Sequence, residues 1–294
     1  MEQLIQQLIN GVSLGSIYAL IALGYTMVYG IINLINFAHG DIYMIGAYIG
    51  FALTTFFHLG FLPALLISMA VCSILGMVIE KVAYKPIRNS TRIAALITAI
   101  SVSLFLEYVM VYFVKPDTRT FPSVLEDKNI TFFGGNVVMD LKNVYIIVIT
   151  IVLMIILQYI IHKTKTGKAM RAVALDKDTA KLMGINVNRI ISYTFAIGSA
   201  LAGAAGVLVG VYYNTINPLM GVVPGLKAFV AAVIGGIGII PGAVFGGLFL
   251  GMTETIVSAY GGSIFKDAVA FTILIIVLLI RPNGLLGKNI KEKV

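Results

Sequence analysis

The chain has 294 residues, of which 59% are hydrophobic and only 12% are charged, and its mean hydropathy is +0.97. Because soluble domains carry about 25% charged residues, this composition excludes a water-soluble fold. The formal net charge of +8 does not indicate nucleic-acid binding, since the basic residues lie between hydrophobic runs, the pattern that sets orientation in a membrane.

Apolar runs follow one another from the N-terminus, each near the length of about 20 residues that a helix needs to cross a hydrocarbon core of about 30 Å. Six of these runs occupy residues 8–29, 41–57, 61–80, 93–114, 144–161 and 190–212. Short segments of alternating polarity, which form outer-membrane barrels, are missing from the sequence. The sequence therefore predicts an all-α, polytopic membrane protein with a single transmembrane domain over residues 1–294.

The last apolar stretch, residues 225–280, is long enough for two long helices or three short ones. Pro241 lacks a backbone donor and has glycines on both sides, so we expect a break or re-entrant bend near Ile240 and three spans in this stretch. The total is then nine spans, and eight is the alternative if one early or late run does not cross.

Basic residues concentrate in three segments outside the apolar runs. They are Lys81, Lys85, Arg88 and Arg92; then Lys163, Lys165, Lys168, Arg171, Lys177, Lys181 and Arg189; and finally Arg281, Lys288, Lys291 and Lys293. Residues 115–143 mix acidic and basic side chains without such an excess. The positive-inside rule places the three basic segments in the cytoplasm and residues 115–143 outside. This predicts a multi-pass protein of the plasma or inner membrane with an outer N-terminus and a cytoplasmic C-terminus.

Residues 167–190, in the second basic segment, are too polar to span and rich in helix-forming residues, which predicts a short helix at the cytoplasmic face. Gly184 is placed to end that helix as a C-cap. An apolar side is expected from Ala169, Ala172, Val173, Leu182 and Met183. The helix is either a docking element for a cytoplasmic partner or an interfacial helix whose lysines reach the lipid headgroups.

Two glutamates, Glu107 and Glu254, lie within apolar runs. An ionisable group at membrane depth is costly, which makes both residues candidates for the translocation pathway. The alternative is that each is hydrogen-bonded inside the bundle or lies near an interface, where it has a structural role.

A polar break, INLINFAHGD, separates the first two apolar runs and contains Asn33, Asn36, His39 and Asp41. These residues either line the translocation route or form a cytoplasmic turn, and the turn is slightly favoured. His39 and Asp41 are too few for a metal site, and the single cysteine, Cys72, lies in an apolar run. We expect no metal and no cofactor.

Pairs of glycines four residues apart recur along the chain and predict closely packed helices. The pairs are Gly11 and Gly15, Gly206 and Gly210, Gly242 and Gly246, and Gly247 and Gly251.

Three stretches carry a family resemblance: residues 10–48 (NGVSLGSIYALIALGYTMVYGIINLINFAHGDIYMIGAY), residues 80–88 (EKVAYKPIR) and residues 217–251 (NPLMGVVPGLKAFVAAVIGGIGIIPGAVFGGLFLG). Together they resemble the branched-chain amino acid permeases of ABC importers, in their H-type subunit. Residues 167–190 are similar to the coupling loop of such permeases, although its strict glutamate-alanine-alanine form is missing. The resemblance covers nearly the whole chain and is weakest in residues 115–143.

This resemblance implies a type II-like importer architecture and a permease subunit that forms the translocation pathway for leucine, isoleucine and valine. It also implies four kinds of partner: a homologous second permease subunit, two cytoplasmic ATP-binding subunits, an external amino-acid-binding protein and the membrane lipid. The residues that would couple the permease to the ATP-binding subunits are Arg171, Ala174, Asp176, Asp178, Ala180 and Gly184.

The sequence contains no GxxxxGK[ST] phosphate-binding loop, so we do not expect the chain to be an enzyme, and its energy must come from a partner or an ion gradient. An ATP-driven permease is favoured by the polar inner segment. An ion-gradient-driven secondary transporter of hydrophobic amino acids and a gated channel stay open, because Glu107 and Glu254 could serve ion coupling.

Overall fold

The computed structural model describes residues 2–32, 34–88, 90–125, 128–132 and 137–287. Most of this chain is helical. The helices are α1 (Glu2–Ile32), α2 (His39–Thr55), α3 (Phe61–Ile79), α4 (Lys85–Ile87), α5 (Arg92–Val114), α6 (Leu141–Lys163), α7 (Lys165–Leu175), α8 (Lys177–Leu182), α9 (Val187–Tyr213), α10 (Val222–Gly235), α11 (Ile240–Tyr260) and α12 (Phe265–Ile280). A π-helical turn, Glu80–Tyr84, joins α3 to α4.

Four short strands were not expected from the sequence. Strand β1 (Arg119–Thr120) pairs antiparallel with β4 (Thr215–Ile216), and β2 (Asn129–Phe132) pairs antiparallel with β3 (Val137–Asp140). Three of the four lie in the loop between α5 and α6 and the fourth follows α9. Strands of two to four residues are too short to give a recognisable alternation of polarity.

Six helices of the described chain are long and apolar enough to cross a membrane: α1, α3 with its extension to Ile87, α5, α6, α9 and α11. This confirms a polytopic helical membrane protein. Helices α2, α10 and α12 are shorter, with 17, 14 and 16 residues.

Helices α1 and α9 form the centre of the bundle and are buried along most of their length. Helices α5, α6 and α12 lie at the periphery and direct many large apolar side chains outward. In a membrane this outer surface faces lipid or another apolar protein, so its exposure is compatible with stability.

The glycine pairs bring helix backbones together, as predicted. A Cβ atom added to Gly247 would overlap the backbone of Ala19, and one added to Gly251 would overlap that of Gly15. Both contacts join α11 to α1. Glycine is required at these positions because any side chain would force the two helices apart.

Helix α2 begins with buried residues, and its first turn packs on the start of α10. The ring of His39, the first residue of α2, lies against Gly24 in α1. The next residue, Gly40, contacts Gly221 and Gly225 at the start of α10. The first turns of two short helices therefore meet at these glycines, while Val222 and Val223 in the same turn of α10 are 41% and 46% exposed.

The break predicted near Ile240 is confirmed. Helix α10 ends at Gly235, and Gly236 and Gly238 adopt φ values of 107° and 90°, which L-residues with side chains rarely reach. Helix α11 then begins at Ile240, with Pro241 in its first turn, where the missing N–H is tolerated.

The two ends of α1 mark two opposite faces of the molecule. The Gln6 amide donates to Val138 O in β3 at 2.8 Å and accepts from Val138 N at 2.8 Å. Near the other end, the Lys177 ammonium donates to Ile32 O at 3.3 Å. The helix has 31 residues, which at about 1.5 Å per residue exceeds the thickness of a hydrocarbon core. Strand β3 and helix α8 thus lie on opposite sides of a membrane-sized distance.

Candidate coupling segment and translocation sites

The segment at residues 167–190 contains two short helices, α7 and α8, and not the single helix that was predicted. Asp176 separates them and caps α8: its carboxylate accepts hydrogen bonds from the backbone N–H groups of Asp178 at 2.8 Å and Thr179 at 3.0 Å. An N-cap requires an extended backbone, and Asp176 has φ −157° and ψ 114°. The cap residue therefore interrupts what would otherwise be one continuous helix.

The charged residues of the segment make local contacts. Hydrogen bonds from the Thr179 backbone and hydroxyl, and then from the Asp178 backbone, hold the pKa of Asp176 below its usual value, so this carboxylate is ionised at neutral pH. Asp178 forms an exposed ion pair with Lys181 at 3.0 Å, and the Arg171 guanidinium lies 3.0 Å from His162 Nδ1.

Gly184 ends α8, as predicted from the sequence. Its φ of 80° reverses the chain, and its N–H donates to Lys181 O at 2.9 Å. The Ile185 N–H donates to Ala180 O at 3.0 Å. These two bonds form a Schellman motif, which satisfies the last carbonyls of the helix.

The residues predicted to form one apolar side of the segment do not lie on one side in the structure. Met170 and Ala180 are buried, with 2% and 3% of their surface exposed, so Ala180 packs inside the chain. Val173 is 1% exposed, whereas Leu175, Leu182 and Met183 are 89%, 88% and 78% exposed, so the prediction that Leu182 and Met183 share one apolar side with Val173 is wrong. The break at Asp176 gives α8 a different orientation from α7. We call Leu175, Leu182 and Met183 the apolar knuckle.

Ala174, also a predicted coupling residue, is exposed on α7. It lines a small cavity of about 90 Å³ together with Arg171, the end of α1 and Gly238. Ala174 and Gly184 are therefore accessible to a partner, whereas Ala180 is not.

Of the predicted pathway residues in the break after α1, Asn33 lies outside the described residues. The chain turns at Phe37 and Ala38, but the polar side chains are buried and not solvent-exposed as in a surface turn. Asn36 is 2% exposed and its Oδ1 accepts from the Tyr84 hydroxyl at 2.8 Å. His39 is 1% exposed, and its Nε2 has no hydrogen-bond partner among the described residues.

Asp41 and Glu107 line one cavity of about 300 Å³ between α2, α5 and α10. Asp41 is 1% exposed, and the Ser103 hydroxyl of α5 donates a short hydrogen bond to its Oδ2. No lysine or arginine of the described chain forms an ion pair with either carboxylate.

Glu254 belongs to a buried cluster of charges. Its Oε1 lies 2.7 Å from Lys227 Nζ, and its Oε2 accepts from the Tyr18 hydroxyl at 2.9 Å. Asp267 contacts the same Lys227 ammonium at 2.5 Å, and Lys266 lies 3.7 Å from Glu254. Lys227 is 2% exposed, and the sequence analysis missed it. The rule that selected Glu254, an ionisable residue in an apolar run, applies equally to Lys227.

Glu80 is a second buried ionisable residue that was missed, after Lys227. It is 1% exposed, forms a close ion pair with Arg88, and accepts from the Ser192 hydroxyl at 2.6 Å. Arg88 also donates to Asn188 Oδ1 at 2.7 Å. These contacts join the π-helical turn to the start of α9, which follows α8, and π-helical turns are frequent at functional sites.

Comparison with known proteins identifies the family. The family model described as "Branched-chain amino acid transport system / permease component" matches residues 7–278. The chain belongs to this permease family.

Curated relatives match this permease over almost its whole length. It is 45% identical to the high-affinity branched-chain amino acid transport system permease protein LivH of Escherichia coli K12, covering 99% of this chain and 97% of that protein. It is 46% identical to the corresponding protein BraD of Pseudomonas aeruginosa, covering 99% and 98%.

A solved structure shares the fold of the permease at low sequence identity. The structure titled "PsaBC from Streptococcus pneumoniae in complex with Fab" aligns with a TM-score of 0.50 and 13% identity, covering 93% of this chain and 91% of that chain. At this identity the likeness concerns the fold alone.

Proposed function

We propose that this permease forms the translocation pathway of an ATP-driven importer for leucine, isoleucine and valine. The relatives named above are branched-chain amino acid permeases, which supports the substrate class. ATP coupling is inferred from the apolar knuckle, whose three side chains are exposed. They lie on a basic segment that Ala180 anchors inside the chain. Such side chains fit a cleft in a cytoplasmic partner, where apolar burial contributes about 25 cal/mol per Å².

The energy source lies on other subunits, since the sequence has no phosphate-binding loop. The assembly contains a homologous second permease subunit, two cytoplasmic ATP-binding subunits and an external binding protein that delivers the amino acid.

The permease is a single domain with nine spans in a type II-like arrangement, its N-terminus outside and its C-terminus in the cytoplasm. The basic coupling segment and the strands of the outer loop contact opposite ends of α1, which supports this orientation. The three short helices α2, α10 and α12 complete the count, with residues 34–38 before α2 and residues 217–221 before α10 extending these two helices toward opposite membrane surfaces. The basic tail at residues 288–293 lies outside the described residues.

A secondary transporter driven by an ion gradient is the second candidate. Asp41 and Glu107 favour it, because two carboxylates beside one cavity could bind a coupling ion. Glu254 supports it less, because Lys227 already neutralises its charge.

The coupling role can be tested by variants that place a charged side chain on the apolar knuckle. Leu175→Asp and Leu182→Asp each place a carboxylate where an apolar contact is expected, and desolvating that charge is costly. We expect co-purification of the ATP-binding subunits with the permease to weaken at least ten-fold for each variant.

The matched control is Ile264→Asp. Ile264 is 88% exposed, like Leu182, but it precedes α12 at the opposite face of the molecule. This variant should retain its ATP-binding subunits. If Leu175→Asp and Leu182→Asp also retain them at the wild-type level, the segment is an interfacial helix and the coupling proposal is wrong.

A further inference from the structure

The cavity that Asp41 and Glu107 line lies near the mid-length of α5 and is partly open, since Ile100, Leu104 and Val222 in its lining are 42%, 47% and 41% exposed. Ser103, which bonds to Asp41, is the central residue of α5, because it lies eleven positions after Arg92 and eleven before Val114. At about 1.5 Å per residue it is about 16 Å from either end of the helix. The opposite wall is formed by the first turns of α2 and α10, through Asp41 and Gly221.

Within the part of the chain that the structure describes, the carboxylates of this cavity lack a cation that would neutralise their charge, and one hydroxyl lacks a hydrogen-bond partner. Asp41 is stabilised by the Ser103 hydroxyl, but no described cation pairs with it or with Glu107. The cavity is also lined by Tyr25, which is 3% exposed and whose hydroxyl lies beside Gly225. No hydrogen bond joins that hydroxyl to another described residue. Asp41 is buried and Glu107 is half-buried. A buried carboxylate that lacks a cation is costly, so a ligand that supplies a cation, together with an acceptor for the Tyr25 hydroxyl, would stabilise the site.

The remaining lining is apolar. Phe37, Leu104, Val222 and Leu226 contribute side chains, while Gly221 and Gly225 contribute backbone where they pack on Gly40. A volume of about 300 Å³ is at the small end of the range for ligand sites, which suits a single small molecule.

We propose that this cavity holds the transported amino acid at mid-membrane, with Asp41 and Glu107 receiving its ammonium group. The Tyr25 hydroxyl donates to its carboxylate, and the apolar lining contacts its aliphatic side chain. The complementarity is to a zwitterion with a branched apolar side chain, which a metal ion or a sugar would not match. This inference rests on the proposed import of branched-chain amino acids and locates the substrate within the pathway.

The test measures weak binding without the external receptor. The permease subunits and ATP-binding subunits are reconstituted in nanodiscs, and saturation-transfer difference NMR records the methyl signals of added leucine. We expect a signal with the wild type and a loss of at least five-fold in the double variant Asp41→Asn, Glu107→Gln. The acid 4-methylpentanoate, which has leucine's carbon skeleton without the ammonium group, should not displace leucine from the wild type.

Asp117→Asn is the control, because Asp117 is an exposed carboxylate in the outer loop, and it should behave as the wild type. Tyr25→Phe removes only a hydroxyl and should weaken the signal at least three-fold even if the double variant fails to assemble. An unchanged signal in Tyr25→Phe and in an assembled double variant, or displacement by 4-methylpentanoate, overturns the inference.

The same preparation separates this inference from the proposed function. ATP-driven leucine uptake by the wild-type importer with its binding protein tests the function. If the wild type takes up leucine and the double variant takes it up at the same rate, only the cavity assignment fails. If the wild type takes up no leucine, the proposed function fails first.

Discussion

Several ionisable side chains lie in the interior of this permease, and those around Lys227 form a cluster. One ammonium group lies 2.7 Å from Glu254 and 2.5 Å from Asp267, and Glu254 is further bonded by Tyr18. The cluster joins α1, α10, α11 and α12. A buried pair contributes little relative to apolar side chains of the same shape, but removing one partner leaves an uncompensated charge.

Lys227→Met is therefore expected to destabilise the permease by about 3 kcal/mol, since the Glu254 carboxylate loses its main partner. The double variant Lys227→Met, Glu254→Gln should recover part of that loss because it removes the orphaned charge. The midpoint of thermal unfolding in detergent measures both effects.

Lys181→Met provides the comparison, since it breaks an ion pair of similar length whose partners are 61% and 88% exposed. It should change stability by no more than about 1 kcal/mol. Equal melting of Lys227→Met and Lys181→Met would show that the buried cluster does not stabilise the fold.

The sequence identified some of these residues and missed others for a physical reason. Glu107 and Glu254 are isolated acids in apolar runs, so their place in the sequence alone marks them as candidates. The pairing of Glu254 with Lys227 joins residues that are far apart in the chain, so no local pattern reveals it. Tyr25 was missed because an aromatic residue in an apolar helix resembles any core residue until a cavity is found beside it.

Among the elements, the long apolar helices and the break before Ile240 were predictable, because apolar length and glycine with proline are local signals. The division of the coupling segment at Asp176 was not predicted, although an aspartate followed by a short helical stretch is an N-cap signal. The burial of Ala180 and the exposure of Leu182 follow from that division.

The orientation of two of these elements can be tested by labelling. With Cys72 replaced by Ala, a cysteine at Asn129 in β2 should react with a membrane-impermeant thiol reagent added outside intact cells, whereas a cysteine at Asp178 in α8 should not. Both positions are exposed, so access depends on the side of the membrane.

Lysing the cells controls for reactivity, since the cysteine at Asp178 should then label as readily as the one at Asn129. Labelling of Asp178→Cys from outside, with Asn129→Cys protected, would reverse the orientation and remove the coupling segment from the cytoplasm.

Across the molecule, α1 contacts helices, a strand and a cavity that lie far apart. It packs on α11 through Gly15, contacts β3 through Gln6, and contacts α8 through Ile32. Its Tyr25 lines the cavity that contains Asp41 and Glu107. Composition alone predicted a helical membrane protein. The contact between α2 and α10 could not be predicted in this way, because it joins segments that are far apart in the sequence.

In the proposed mechanism, ATP hydrolysis by partner subunits drives amino acid uptake through this permease. The complete importer is reconstituted in proteoliposomes with its cytoplasmic face inward, ATP is trapped in the lumen, and binding protein with radiolabelled leucine is added outside while ionophores collapse all ion gradients. The account predicts leucine accumulation that requires internal ATP and is unchanged by the ionophores. Accumulation without ATP that disappears when the gradients are collapsed would contradict it and identify a secondary transporter.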